Sequence, residues 1–258
     1  MNSISGERSR QERCIASEWS NLIPVNQWQT YFEAIQVIRA AGLRFMLGGA
    51  FGLAAYTGHW RNTKDIDFFV LPSDRPRAVD ALTQAGFTDY YETTPYDRGW
   101  IYRATRSGLI VDIIWATPNR RTEVDELWFE NSRRVTIHSE VLEVVPAEEL
   151  VWIKLYVLQR DRCDWPDVIN LLYCTSKVIH WKRLVDRLEG DLPLLAGLLT
   201  VFAWLCPDRM GDIPAELRKR LRLPPREALS GPDTHRIQLL DTRAWFAALQ
   251  PTDRPMGV

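Results

Sequence analysis

The chain is poor in the residues that build metal clusters and covalent staples. Its four cysteines (Cys14, Cys163, Cys174 and Cys206) are scattered without CxxC or CxxH spacing. This excludes a structural zinc site of the usual type and a disulfide framework, and it reads as a reduced, cytoplasmic protein. The four histidines (His59, His138, His180 and His235) show no ligand spacing and read as surface or packing residues. No apolar run approaches the ~20 residues that a membrane helix needs. The charged N-terminus MNSISGERSRQERC has no apolar core after it, so it does not read as a signal peptide. An excess of one charge sign is also missing: 32 basic against 33 acidic side chains give a net charge of -1. That balance argues against a broad phosphate-tracking surface, though not against a local basic patch. There is no internal repeat.

At 258 residues, 46% hydrophobic and 25% charged, the chain has the composition of a globular protein able to bury a good core. It is long enough for one domain and a satellite, or for two small domains. Eleven tryptophans are read as large core residues and packing anchors.

Residues 1–24 are polar without a sustained period and read as an N-terminal tail. From Gln27 to Ala41, Trp28, Phe32, Ile35, Ile38 and Ala41 recur at helical spacing, with Gly42 at the expected C-cap. A short strand over Arg44 to Leu47 leads into Gly48-Gly49 and a helix closed by Gly58, followed by the β-rich run DIDFFVL from Asp65 to Leu71. Ser73 or Asp74 can cap a further helix. Residues 87–92, 99–105 and 109–115 read as strands, with Gly108 suiting a hairpin turn, and residues 123–131 as a helix. A second hairpin is expected around His138-Ser139. The character changes at Pro146, after which helical segments dominate to about Arg222. The plan is a mixed α/β half over residues 25–145, a helical domain over 146–225 and a weakly patterned C-terminal extension over 226–258.

Side chains two apart on a strand share a face. Asp65 and Asp67 therefore project together, while Ile66, Phe68 and Val70 point into a core. Carboxylates this close repel unless cations sit between them or water reaches both. A hard dication such as Mg²⁺ prefers such oxygen ligands; a polar strand end in solvent is the plain alternative. Asp112 is the only polar residue of LIVDIIW, a run that reads as a buried strand. An unpartnered carboxylate there costs several kcal/mol, so it should meet either a cation shared with Asp65 and Asp67 or an arginine such as Arg103 on the preceding strand. Three carboxylates at one sheet edge would make a two-cation site suited to in-line displacement at phosphorus.

Gly48-Gly49 sits at a strand-to-helix turn, where glycine permits positive φ and close approach of a ligand to the helix N-terminus. Arg61, Thr63 and Lys64 lead into the acidic strand. Arg61 or Lys64 can bind triphosphate oxygens, and Thr63 can hydrogen-bond to a phosphate or orient a carboxylate; a solvated loop is the alternative. Lys154 is the sole charge in VWIKLYVL, a helix apolar nearly all round, so its ammonium must snorkel or meet an anion. In the cluster Arg160 to Asp167, Asp164 can cap the next helix and Pro166 fits its first turn. Arg218-Lys219-Arg220 with Arg222 reads as a solvated face, or as the best candidate for contacting RNA.

Gly48-Gly49, fifteen residues, Asp65-Ile66-Asp67 and a later Asp112 together resemble the DNA polymerase β-like nucleotidyltransferase superfamily. The approach Arg61-Asn62-Thr63-Lys64-Asp65-Ile66-Asp67 is similar to that of minimal bacterial members, the AbiEii-type toxins and the aminoglycoside or lincosamide nucleotidyltransferases. The stretch KLYVLQRDRCDWPD from Lys154 is similar to the late helices of AbiEii-like proteins. The resemblance covers roughly residues 30–175 and implies an α+β fold: a short mixed β-sheet core flanked by helices, followed by a helical domain. It implies that Asp65 and Asp67 bind Mg²⁺ (or Mn²⁺) and the NTP phosphates, that Asp112 completes the site, and that Lys154 and an aspartate, Asp164 in preference to Asp167, contribute to activity. Where many superfamily members have GS, this chain has Gly48-Gly49 and lacks one hydroxyl.

The expected reaction is transfer of an NMP from an NTP to a hydroxyl. Three acceptors compete: RNA such as a tRNA end, a protein side chain, or a small molecule such as an antibiotic. A cognate antitoxin is the expected partner if the chain is a toxin, and no membrane partner is expected. A nucleotide-binding regulatory protein on a degenerate version of the fold is a second reading, and a glycosyltransferase using its DxD a weaker third.

Overall fold

The computed structural model describes residues 19–225 and 231–241. Residues 1–18 of the expected tail, with Cys14, and much of the C-terminal extension lie outside them. The chain divides into two compact units, one ending at Pro146 and the other starting at Ala147.

In the first unit, a 3-10 turn at Trp19–Leu22 precedes α1 (Val25–Ala40). Trp19 and Ile23 are buried, so this part of the expected tail is packed. Trp19 stacks on Trp60 with ring centroids 5.4 Å apart, and Phe51 meets Trp60 edge-on at 4.9 Å. β1 is only Met46–Leu47, shorter than expected because Arg44 and Phe45 have no partner in either ladder that β1 joins. After it come α2 (Gly49–Thr57), β2 (Asp65–Phe69) and α3 (Arg75–Gln84). Asp74 occupies the N-cap of α3 without a side-chain capping bond. The strand expected over 87–92 is reduced to β3 (Thr88–Asp89), because Asp89 accepts the Tyr91 amide and turns the chain into a 3-10 helix.

β4 (Ile101–Arg106) and β5 (Leu109–Ile114) form a hairpin whose two turn residues, Ser107 and Gly108, both have positive φ, the geometry of a tight two-residue loop. A short α4 (Glu126–Glu130) leads to β6 (Arg133–Ile137) and β7 (Glu140–Val144), joined through His138 and Ser139, again both at positive φ. The seven strands form one mixed sheet in the order β3-β4-β5-β2-β1-β7-β6. β2 runs parallel to β5 and antiparallel to β1, and β1 runs parallel to β7. The alternation on β2 and β5 sends Ile66, Phe68, Val111 and Ile113, all fully buried, to one face. Each contributes ~1.5–3 kcal/mol of apolar burial, and together they fix the register that turns the aspartates to the other face.

The second unit is helical: α5 (Ala147–Leu155), α6 (Trp165–Thr175), α7 (Trp181–Leu188), α8 (Leu192–Leu205), α9 (Ala215–Arg220) and α10 (Thr234–Leu240). α7, a 3-10 turn and α8 make a 25-residue helical stretch, Trp181–Leu205, long and apolar enough by length and composition to cross a membrane. Its uncharged part is α8 alone, 14 residues, short of the ~20 consecutive apolar residues of a membrane helix. Leu195, Leu198, Leu199 and Phe202 of α8 are fully buried, which is the use a core helix makes of its apolar residues. Within the extension past residue 225, α10 docks on α8 through buried Ile237 and an Arg236 hydrogen bond to the Trp204 carbonyl.

Candidate active site

The parallel pairing of β2 with β5 sets Asp67 directly opposite Asp112, and Asp65 lies two residues earlier on the same face. One carboxylate oxygen from each of the three falls within 4.8 Å of the others. Asp112 is buried, at 1% exposure, while Asp65 and Asp67 are half-buried. On the other side of β5, Arg103 of β4 stands opposite Asp112. Its Nε donates to Oδ1 at 2.8 Å and its Nη2 to Oδ2 at 2.7 Å. The two partners anticipated for Asp112 are thus compatible: it is clamped by arginine from one strand and faces two carboxylates from the other. Each carboxylate oxygen keeps a further lone pair after accepting one bond. Burial pushes the Asp112 pKa upward; the Arg103 bonds and charge oppose this, and the Asp65 charge adds to it.

Gly48 and Gly49 are required for separate reasons. A Cβ on Gly48 would lie 2.2 Å from the Phe69 ring, and the Gly48 amide donates to the Asp67 carbonyl at 3.0 Å. Gly49 has φ +49°, and its Cβ would lie 1.8 Å from Asp67 Oδ2. The first turn of α2 therefore runs against the acidic strand as closely as backbone allows.

The Thr63 hydroxyl donates to Asp65 Oδ1, which gives it the carboxylate-orienting role. The Thr63 carbonyl accepts from Gln27 Nε2, which also donates to the Tyr31 hydroxyl at 2.9 Å. Burial, helped by the three aspartates, pushes the Tyr31 pKa up to about 12, so it stays a neutral phenol. Gln27 and Tyr31 escaped the sequence reading. Their only signal is an i, i+4 polar pair inside an otherwise apolar helical face. Arg61 and Lys64 are exposed on the approach to β2.

Lys154 and Asp164 belong to the second unit. Lys154, 8% exposed, meets Asp164 Oδ2 at 2.7 Å and Asp167 Oδ2 at 2.9 Å. Asp164 stands at the N-cap of α6 but makes no capping bond; its oxygens go to Lys154 and to Arg162 at 2.9 and 3.0 Å. Burial alone would raise the Asp164 pKa, but Arg162 and Lys154 outweigh it and hold the group below the usual carboxylate range. The ammonium thus meets protein anions instead of snorkelling.

The three-carboxylate group offers only oxygen donors, the set a hard dication takes. Asp67 Oδ2 occupies the cradle that any side chain at position 49 would fill. The all-oxygen donor set of Asp65, Asp67 and Asp112 fits a hard dication.

Among curated proteins, none matches the chain. Solved structures that resemble it include the antibiotic-resistance factor ANT(2'')-Ia in solution, with 15% identity, a TM-score of 0.48 and coverage of 69% of this chain and 96% of that one. The lincomycin-bound lincosamide antibiotic adenylyltransferase LnuA has 13% identity and a TM-score of 0.42, covering 58% and 96%. An antigenic nucleotidyltransferase-like protein from Paracoccidioides brasiliensis has 16% identity and a TM-score of 0.38, covering 69% and 94%. The sequence profile of a family described as an uncharacterised nucleotidyltransferase matches residues 39–190. Because that match spans more than half of the chain and takes in both glycines and all three carboxylates, the chain belongs to this nucleotidyltransferase family.

Proposed function

We propose that the chain transfers a nucleoside monophosphate from an NTP to an acceptor hydroxyl and releases pyrophosphate. The observation that carries this reading is the convergence of Asp65, Asp67 and Asp112 within 4.8 Å beside the Gly48-Gly49 turn of a nucleotidyltransferase-family chain. In the reaction the acceptor oxygen bonds to the α-phosphorus as the bond from that phosphorus to the bridging oxygen breaks. Pyrophosphate leaves with the electron pair. Asp65 and Asp67 would hold Mg²⁺ or Mn²⁺, and Asp112 would complete the set. Bound dications neutralise the triphosphate and acidify the acceptor hydroxyl.

The chain's own residues do the rest. Asp112 faces the acceptor oxygen and takes its proton, while Arg103 holds the carboxylate against rotation. Thr63 keeps Asp65 aimed. The amides of the first turn of α2 receive phosphate oxygens, which the glycines allow to approach, and Arg61 and Lys64 add positive charge at the entrance. Lys154 and Asp164 lie in the second unit. Their mutual ion pair supports a holding role, because a triphosphate reaching Lys154 would have to displace a carboxylate already bound there.

The acceptor is a tRNA end, a protein side chain or a small molecule. An AbiEii-type toxin with a cognate antitoxin is the first of these cases. Incubating the protein with each labelled NTP and a fractionated lysate identifies both nucleotide and acceptor class. Asp65→Asn and Asp67→Asn should each abolish labelling with the thermal melt retained, and full labelling by both variants would sink the mechanism. Dication-dependent NTP binding without transfer to any fraction would favour the degenerate binding protein.

A further inference from the structure

The first unit carries a concavity that the acidic site does not use. A cleft of about 760 Å³ lies between α3 and the β3–β4 edge of the sheet, within the range of small-molecule sites. Tyr102 lines it and alternates along β4 with Arg103, so the cleft opens on the sheet face opposite the three carboxylates. Its apolar wall is Phe87, Tyr102 and Trp115, each less than 10% exposed.

The charges around this wall are unequal in availability. Arg98 is committed to Asp89 at 2.5 Å and lies over the Tyr91 ring. Arg75, by contrast, lies with its guanidinium 4.3 Å over the Trp115 ring, and among the described residues it makes no ion pair. One face of that guanidinium is stacked while its edge N–H donors stay free for an anion. Asp80 is exposed at the rim, five residues further along α3 and so ~7.5 Å down the helix axis. Lining charges of Arg75, Arg98, Asp80 and Asp89 sum to zero, which disfavours a polyanion such as a triphosphate.

We propose that this cleft is a binding site for a planar aromatic molecule carrying one anionic group. Its ring packs on Pro76 and Val79 against the accessible edges of Phe87, Tyr102 and Trp115, and its anion pairs with Arg75. The site is independent of nucleotidyl transfer and lies on the other face of the sheet.

The test uses two fluorescent probes of similar shape and different charge on the full chain: 1-anilinonaphthalene-8-sulfonate, a monoanion, and N-phenyl-1-naphthylamine, which is neutral. Both should bind saturably at one site. Arg75→Met should weaken the sulfonate about tenfold, the scale of one charge-assisted contact near the surface, and leave the neutral probe unchanged. Val79→Trp, which fills the cleft, should remove both. Arg75 is exposed, so its variant keeps the fold and carries the test if Val79→Trp does not fold. Equal sulfonate affinity in Arg75→Met and the parent would overturn the anion assignment. Unchanged binding of both probes in a folded Val79→Trp would overturn the site, and displacement of the sulfonate by ATP from the cleft of the parent would overturn the single-charge assignment.

Discussion

Gly49 is the residue at which backbone and chemistry meet most tightly. Its φ of +49° costs a side-chain-bearing residue ~1–2 kcal/mol, and a Cβ would collide with Asp67 Oδ2 at 1.8 Å. Gly49→Ala should therefore displace the Asp67 carboxylate, with transfer lost while the melting temperature falls by only a few degrees; a calorimetric scan beside the labelling assay separates the two effects. Arg103 makes a different point. Asp112 is almost wholly buried, and its bonds to Arg103 at 2.7 and 2.8 Å are the charge compensation the structure provides. Arg103→Met leaves that carboxylate uncompensated and should cost ~3–5 kcal/mol, whereas the double change with Asp112→Leu should recover much of the loss. Urea unfolding of the two single variants and the double variant gives the coupling energy. The aspartates and glycines were legible because each breaks a local pattern: a charge in an apolar run, a glycine pair before a helix. Gln27 and Tyr31 were not legible, because their bonds to each other and to Thr63 appear only when α1 is brought to the start of β2.

At the level of elements, registry does what no single strand does. Asp65 and Asp67 share a face by strand geometry, but only the parallel pairing of β2 with β5 puts Asp67 opposite Asp112. The sequence contained both strands and both hairpin turns, yet not their order in the sheet. A one-residue slip would have sent Asp112 to the opposite face. Short strands were the least legible: β1 and β3 each hold two residues, too few to show an alternation. In the helical unit, the α5–α6 connection is built on Lys154, whose ammonium receives two carboxylates within 2.9 Å. Removing this cation leaves Asp164 and Asp167 facing each other, with Arg162 still bound to Asp164 from its exposed side. Lys154→Met should destabilise the second unit by ~3–5 kcal/mol, and neutralising both aspartates in the same chain should restore part of it. Far-ultraviolet dichroism during urea unfolding reads this loss. A variant as stable as the parent would show that the cluster does not hold the connection, and Lys154 would then be free for a role in binding.

For the whole molecule, balanced net charge conceals local imbalances that set how stability depends on pH. Asp164 is held below the ordinary carboxylate range, so its contribution is present above its unfolded value near 3.8 and is lost as pH falls through its depressed folded pKa. Glu149 runs the other way. It is fully buried at the start of α5, with Arg183 Nη2 at 3.3 Å and Arg187 Nε at 3.5 Å. Burial, with the neighbouring Glu148, nevertheless lifts its pKa from 4.5 to about 6, against the pull of Arg183 and Arg187. Between those two values the folded chain binds more protons than the unfolded one. Stability from this group is therefore complete below pH 4.5 and is lost as pH rises through about 6. A shift of this size corresponds to ~2 kcal/mol. Glu149→Gln keeps the shape and removes the titration, so its stability between pH 4.5 and 7 should fall less steeply than that of the parent by about that amount. Urea midpoints across this range, compared between the two chains, measure the difference. Parallel curves would mean that Arg183 and Arg187 hold Glu149 ionised throughout the range.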